Sequence, residues 1–464
     1  MLDKALATAP VNAVRSTHPD KLRGIDVFMI AYSRGINGGP ALRVLVLGAD
    51  GFIGRATCAA LLAAGHQPLR GVRRPDDKAQ ADAGNVWIDY VTDDRAEIWR
   101  PRLRDVDAVI NTVGIFAEHG LQTFERIHVD APAALFMACR DADIRRVVQV
   151  SALGADIDAV TAFHRSKRRA DQTLHGLLPD RGVVVRPSLV FGVHGASSRM
   201  LALLALLPIT PLPDGGAARV QPIHVQDLAT LLARLATRPE ATSSTVDAVG
   251  PRALSLADYL AILRRALGGG GLRVLALKTT SLRQFARWSK GRWLNEDALA
   301  MLARGNTADA GPISRVLGRR PRDPEQFMDR DEAGDLGVAM TWAIAAPAMR
   351  WSVALVWLGS GITSLVGYPI AGSLAMLAAA GLHGTAAWTA LLAGALLDIV
   401  FGIATLAWPR RALYLLQIAT IVGYTAIITV ALPGYWLHPF GPLLKNLPML
   451  AVLGTLYLTQ RKAR

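Results

Sequence analysis

The residues best suited to chemistry stand early in the chain. An apolar run, Leu42–Leu47, ends in Gly48-Ala49-Asp50-Gly51-Phe52-Ile53-Gly54, and a helical pattern, Arg55–Ala64, follows. Glycines at this spacing permit a tight turn and let the backbone approach a pyrophosphate. The next helix presents free N–H groups at its N-terminus. A glycine trio alone is weak; between a strand and a helix it points to a dinucleotide. The expected cradle is Gly48, Asp50, Gly51, Phe52, Ile53 and Gly54. A second strand ends in Gly71-Val72-Arg73-Arg74-Pro75. An acid there would hold the ribose hydroxyls of NAD, whereas a guanidinium binds a 2′-phosphate. Arg73 and Arg74 therefore favour NADP(H) over NAD(H). A solvated basic turn is the plainer alternative.

These residues need a scaffold, and the pattern around them supplies one. Strands are expected at Leu42–Leu47, Leu69–Arg73, Val86–Tyr90, Val106–Asn111, Arg146–Ser151 and Gly182–Arg186. Helices are expected at Phe124–Arg140 and His164–Leu178. Such alternation means an α/β fold with a doubly wound parallel sheet covered on both faces. It occupies residues 41–190. From 191 to 335 the alternation weakens, with Pro208, Pro211 and Pro213 marking a loop and helices at Leu228–Ala236 and Ser255–Leu267. That stretch reads as a small substrate lobe. Residues 1–40 are broken by Pro10, Pro19 and a glycine-rich run, and read as a flexible extension.

The chain ends differently. Of 464 residues, with 51 Lys+Arg and 37 Asp+Glu, the stretch 341–464 holds seven basic residues and a single acid, Asp398. That distribution points to a lipid bilayer rather than nucleic acid. Four apolar segments, Trp351–Ile370, Ala386–Trp408, Leu413–Leu432 and Leu443–Thr459, approach the roughly 20 residues a span needs. Arg350, Arg410–Arg411 and Arg461–Arg464 flank alternate ends, and the other connections carry no charge. The basic ends are expected to face the cytoplasm, with both termini on that side. This implies a four-helix transmembrane bundle over 345–464 in a cell inner membrane. Asp398 is expected to be a protonated acid bonded to neighbouring backbone, with a proton or quinone contact as the alternative. Two cysteines, Cys58 and Cys139, cannot form a disulfide framework or a zinc cage. His383 and His438 lie in loops without metal-ligand spacing, so no metal is expected.

Several motifs together resemble an extended or atypical short-chain dehydrogenase/reductase. They are the glycine turn, Asp89-Tyr90, Asn111-Thr112-Val113-Gly114, Ser151, Arg186-Pro187-Ser188-Leu189-Val190-Phe191-Gly192 and His224-Val225-Gln226-Asp227. The subgroup it resembles surrounds the NADPH-binding accessory subunit of respiratory complex I, partly through Gly305–Asp309 and Val316–Arg322. The segment His438–Pro448 is similar to DoxX-like membrane domains. The resemblance implies a Rossmann-type sheet. It also implies that Asp89 and Tyr90 flank an adenine, that Asn111, Gly114 and Pro187 lie near the cofactor, and that Lys167 holds the nicotinamide ribose. Ser151 and Lys167 would be the catalytic pair. The family's Tyr-x-x-x-Lys reads Phe163-His164-Arg165-Ser166-Lys167 here, so the hydroxyl that protonates a carbonyl is missing. Losing a positioned acid typically costs about 10²–10⁴ in rate. His164 is a poor substitute, because one helical residue turns the side chain by roughly 100°.

Two functions follow. One is a membrane-anchored dinucleotide-binding protein whose cofactor is structural or sensing, associated with a membrane protein complex. The other is an active NADPH-dependent oxidoreductase on a lipophilic or quinone substrate.

Overall fold

The computed structural model describes residues 40–73, 85–238, 245–282, 284, 296–437, 439 and 441–460. Arg74, His438, Arg461, Lys462 and Arg464, and nearly all of the N-terminal extension, lie outside them. The chain divides into two compact units at Val338/Ala339.

The first unit is built on a seven-stranded sheet: β1 (Arg43–Leu47), β2 (Gln67–Arg73), β3 (Asn85–Ile88), β4 (Ala108–Asn111), β5 (Arg146–Val150), β6 (Gly182–Pro187) and β7 (Thr245–Ala248). Its order is β7-β6-β5-β4-β1-β2-β3, and every pairing is parallel. The strands are apolar on both sides because both faces are covered. Val44 and Val46 of β1 face one core, shared with α1 (Phe52–Ala63) and with Leu228, Leu231, Leu232 and Leu235. Leu45 and Leu47 face the other, with α2 (Ala131–Asp141) and α3 (Ala162–Leu177). Strand order reverses between β1 and β4, so a crevice for a ligand opens beyond their carboxyl ends.

Three differences from the sequence reading concern this unit. The helix expected over Phe124–Arg140 is interrupted: a π-helical stretch, Glu125–Asp130, precedes α2, with Pro132 at the start of the regular helix. β3 ends at Ile88, leaving Asp89 and Tyr90 in a turn. A seventh strand, β7, extends the sheet beyond β6. A third core joins α4 (Ala196–Leu206) and α6 (Leu256–Ala266) in the smaller lobe. Between them in sequence, α5 (Val225–Thr237) packs on the sheet.

The second unit is helical. Among the described residues, three helices are long and apolar enough to cross a membrane: α7 (Arg330–Ile362, continued by a π turn to Gly367), α8 (Gly384–Ala407) and α9 (Arg411–Ala431). The fourth, α10 (Asn446–Thr459), has 14 residues. That is about 21 Å, short of a hydrocarbon core of roughly 30 Å. The first apolar segment is part of a longer helix than its hydropathy suggested, because α7 begins at Arg330. The uncharged connection after it contains a further helix, Ile370–Ala379. Leu355, Leu392, Leu396, Ile403, Leu416 and Val430 stand exposed on these helices, where a soluble bundle would present charge. Asp398 does not bond to backbone as expected. Its Oδ2 accepts from the Ser360 hydroxyl at 2.8 Å.

Candidate functional site

The glycine turn closes the end of β1. Gly48 adopts φ +76°, and the N–H groups of Gly48 and Ala49 donate to Gly71 O at 2.9 and 3.1 Å. Gly51 N–H donates back to Gly48 O at 2.9 Å. A Cβ on Gly54 would stand 2.1 Å from that same carbonyl, so only glycine permits α1 to start so close to β1. Gly51 caps α1 without a side-chain bond, and no acid occupies the first turn. The first N–H groups of the helix, on Phe52, Ile53 and Gly54, thus remain available to an anion. The Phe52 ring fills space that side chains on Gly192 and Gly195 would occupy, at 2.8 and 3.0 Å. The residues of the turn fit a dinucleotide pyrophosphate. Asp50 is exposed beside it. Arg73 is exposed at the end of β2, two residues past the carbonyl that anchors the turn. Asp89 is also exposed, and its carboxylate accepts from Val91 N–H at 3.0 Å.

Tyr90 and Asn111 belong to one buried hydrogen-bond network. The Tyr90 ring is buried against Trp99, and its hydroxyl donates to Asn111 Oδ1 at 2.7 Å. Asn111 Nδ2 donates to Gln149 Oε1 at 2.7 Å, and Val113 N–H donates to Asn111 Oδ1 at 3.1 Å. Burial, with Cys139 and the Asp93 carboxylate nearby, holds the Tyr90 hydroxyl well above its ordinary pKa. Both side chains therefore tie β4 and β5 to the loop after β3. Their polar atoms are spent internally, and Gln149 is a member of the network that spacing gave no sign of.

Lys167 is buried in α3. Its Nζ donates to Val150 O at 3.1 Å and to Val113 O at 3.4 Å, at the carboxyl ends of β5 and β4. Gly114 makes room for it: a Cβ there would lie 2.9 Å from Nζ. Burial lowers the ammonium to about 8, opposed by the charge of Asp171 one turn on. Ser151 is buried, and its hydroxyl donates to Asp171 Oδ2 at 2.9 Å rather than to nearby backbone. Arg186 Nε and Nη2 converge on the same oxygen at 3.2 Å. Burial nevertheless raises Asp171 to about 6, despite the bonds from Ser151 and Arg186. Pro187, next to Arg186, is buried, and its carbonyl accepts from Leu153 N–H at 3.0 Å. Asp171 and Arg186 had not been picked out as members of this cluster. The available signal was a carboxylate four residues after Lys167, the spacing of neighbours on one helix face.

At the place of the missing tyrosine, Phe163 is buried among rings. Phe116 stacks on it at 5.1 Å, and Phe124 and His128 meet it at 6.1 and 5.6 Å. His128 is not free to replace the phenol, whereas His164, packed 5.4 Å from the Phe163 ring, keeps Nε2 without a hydrogen-bond partner among the described residues. His128 Nε2 accepts from Ile115 N–H at 3.0 Å. The proton is therefore on Nδ1, which donates to Ser166 Oγ at 2.9 Å, and Ser166 donates to Phe163 O. Burial, with Lys167 nearby, drops His128 to about 2, so it stays neutral. His164 packs against Gly154, and its Nδ1 lies 3.2 Å from Thr161 Oγ1. Among the described residues, no group of three or more side chains is suited to hold a metal ion.

Comparison with known proteins places this geometry in a class. Residues 44–249 match the NAD dependent epimerase/dehydratase family. Residues 354–454 match the DoxX-like family. The chain thus carries an epimerase/dehydratase-type domain followed by a DoxX-like domain. One relative is the rat protein "NADH dehydrogenase [ubiquinone] 1 alpha subcomplex subunit 9, mitochondrial" (Rattus norvegicus), 27% identical over 213 residues, 44% of this chain and 56% of that one. Another is "Ceramide reductase" of Caulobacter vibrioides, 28% identical over 202 residues, 42% of this chain and 61% of that one. The chain therefore spans less than two thirds of either relative. Among solved structures, UDP-N-acetylglucosamine 4-epimerase from Bacillus cereus aligns with 15% identity and a TM-score of 0.48, covering 65% of this chain and 99% of that one. A human epimerase family protein solved with NADPH aligns with 20% identity and a TM-score of 0.47, covering 66% and 99%.

Proposed function

We propose that this chain is a membrane-anchored NADP(H)-binding protein in which the cofactor is a structural or sensing element. The observation that carries this reading is the pairing of an intact cradle with a dismantled proton donor. The turn from Gly48 to Gly54 and the buried Lys167 are retained. Phe163 has no hydroxyl, and Ser151 is bonded to Asp171. The α1 N-terminus would hold the pyrophosphate and Lys167 the nicotinamide ribose; Arg73 would select the 2′-phosphate. When bound, the dinucleotide offers a hydride; of the rings packed against Phe163, His128 has both nitrogens bonded, and His164 sits one residue, roughly 100°, around the helix. Arg350, Pro409, Arg411 and Gln460 gather at one end of the membrane helices, with Gln460 bonded to Arg350 at 3.3 Å and to Pro409 O at 3.0 Å. This supports an inner-membrane protein with that end, and the dinucleotide domain, in the cytoplasm. The name of the rat relative supports association with a respiratory or quinone-linked membrane assembly.

A second reading is favoured by one feature. Phe116 is 80% exposed, and Leu121, Ile157 and Val160 are exposed on the same loops around Phe163. An apolar rim of this kind suits a lipophilic substrate, as does the ceramide reductase relative. One experiment separates the two. Full-length protein purified in detergent is assayed for bound NADP(H), then for NADPH oxidation with long-chain aldehydes, ketones and quinones. The structural reading expects bound nucleotide and little oxidation. Sustained oxidation that survives Ser151→Ala and Lys167→Met would overturn it.

A further inference from the structure

The helical unit holds polar groups that its own packing leaves unsatisfied. Besides Arg350 Nε and Tyr414 Oη near one end, three side chains facing inward each keep one atom without a protein partner among the described residues: Trp357 Nε1, Gln417 Oε1 and Asp398 Oδ1. They are 4%, 0% and 7% exposed. An unpaired buried polar atom is destabilising, because it has given up its bonds to water without replacement. Three in one apolar bundle are the signature of an unaccounted polar occupant.

Their heights form a ladder. At the end carrying Arg350, Arg411 and Gln460, Tyr414 of α9 is buried beside the Arg350 guanidinium. Gln417, about 9 Å along α9 from Arg411, donates through Nε2 to Thr405 Oγ1 at 2.8 Å. Trp357, two turns past Arg350 on α7, packs edge-on against Phe401 of α8 at 5.0 Å. Asp398 lies just under one turn beyond Phe401 and about two turns beyond Thr405 toward the opposite end, held by Ser360. Beyond Asp398 the helices close up. A Cβ on Gly361 would lie 2.7 Å from Ala395 O, three residues past Asp398. Around Asp398 the neighbouring titratable group is Tyr424 of α9, and no Lys or Arg is bonded to it.

We propose that this ladder is a water-filled half-path, leading from the basic end of the bundle to Asp398 and ending there. The unpaired atoms alternate in kind: an N–H donor on Trp357, an amide acceptor on Gln417, a carboxyl on Asp398. Water, both donor and acceptor, satisfies all three, and buried water typically makes about three such bonds. Through it the Asp398 carboxyl gains or loses a proton to the aqueous phase on one side only. The proton passes from a water to Oδ1 and back, with no other bond made or broken. Intramembrane carboxyls that face a hydrated interior serve in this way.

The test is independent of the cofactor reading. Full-length protein in lipid nanodiscs, without added ligand, is examined by infrared difference spectroscopy at pH 8, above the range in which Asp171 keeps its proton. The protonated-carboxyl stretch that disappears in Asp398→Asn is followed after transfer to D₂O. If Asp398→Asn does not accumulate, Ser360→Ala identifies the band instead, by moving it to higher frequency. The expected result is a band that shifts within seconds of transfer in the wild type, and at least tenfold more slowly in Gln417→Leu. A band that does not shift means a sealed carboxyl and overturns the proposal. So does exchange that Gln417→Leu leaves unchanged, because the path then runs elsewhere. Absence of any band assignable to Asp398 overturns it too, since the group would be ionised.

Discussion

Gly54→Ala is the sharpest test of the cradle. The new Cβ would lie 2.1 Å from Gly48 O and 2.7 Å from Gly48 C, both backbone, where ordinary contact begins at 3.4 Å. The shortfall of about 1.3 Å (3.4 minus 2.1) must be made up by moving either the turn or α1. If both stay, overpacking costs roughly 1–3 kcal/mol, a fall of several degrees in the melting point of a domain this size. If α1 withdraws, its first N–H groups leave the pyrophosphate, and each lost bond to a charged group is worth about 1.5–3 kcal/mol. That is a tenfold to hundredfold loss of dinucleotide affinity. Calorimetry with NADPH on the full chain, paired with thermal melts, reads both outcomes. Gly176→Ala is the control: it lies in α3 with open space around it, and should leave binding unchanged. If Gly54→Ala binds NADPH within twofold of wild type and melts at the same temperature, the cradle assignment is wrong.

Arg73→Ala should lower the preference for NADPH over NADH by about tenfold to hundredfold, the worth of one charge-assisted contact; unchanged discrimination in calorimetry would remove Arg73 from the site. Asp171 titrates near 6 in the fold and near 3.8 unfolded. Between those values the folded state binds more protons, so its contribution to stability falls as pH rises from 4 to 6. Melts across that range should lose this component of the slope in Asp171→Asn, and identical slopes in both proteins would contradict the buried position of the group. Reporter fusions after Gly381 and after the C-terminus should lie on opposite sides of the membrane; the same side for both would refute the four-span arrangement.

Much of the scaffold was legible because it is local. The apolar run into Gly48–Gly54 and then a helix is decided by neighbours in sequence, and the strand–helix alternation follows from them. What escaped was decided by distant partners. Asp171 and Arg186 are 15 residues apart in sequence, and only the parallel pairing of β5 with β6 brings Ser151 beside them. Tyr90 resembles a ligand-facing residue by position, yet its hydroxyl is claimed by Asn111, 21 residues later. The start of α7 was missed because hydropathy sees only its apolar half; Arg330, Asp331, Glu332 and Asp335 belong to the same helix. Phe163 was legible as a missing hydroxyl, but the aromatic nest around it was not, since Phe116 and Phe124 come from another loop.

The Phe52 ring, lodged where Gly192 and Gly195 have no side chains, has a mechanical consequence. It leads out of the phosphate turn and ends on the segment that starts α4. Close-packed interiors transmit small displacements rather than absorb them. A dinucleotide that displaced the turn would press Phe52 against Gly192 and Gly195, where the gaps for a side chain are already below 3.1 Å. Occupancy at one end of the sheet would then be felt as strain at another, with no chemical step required.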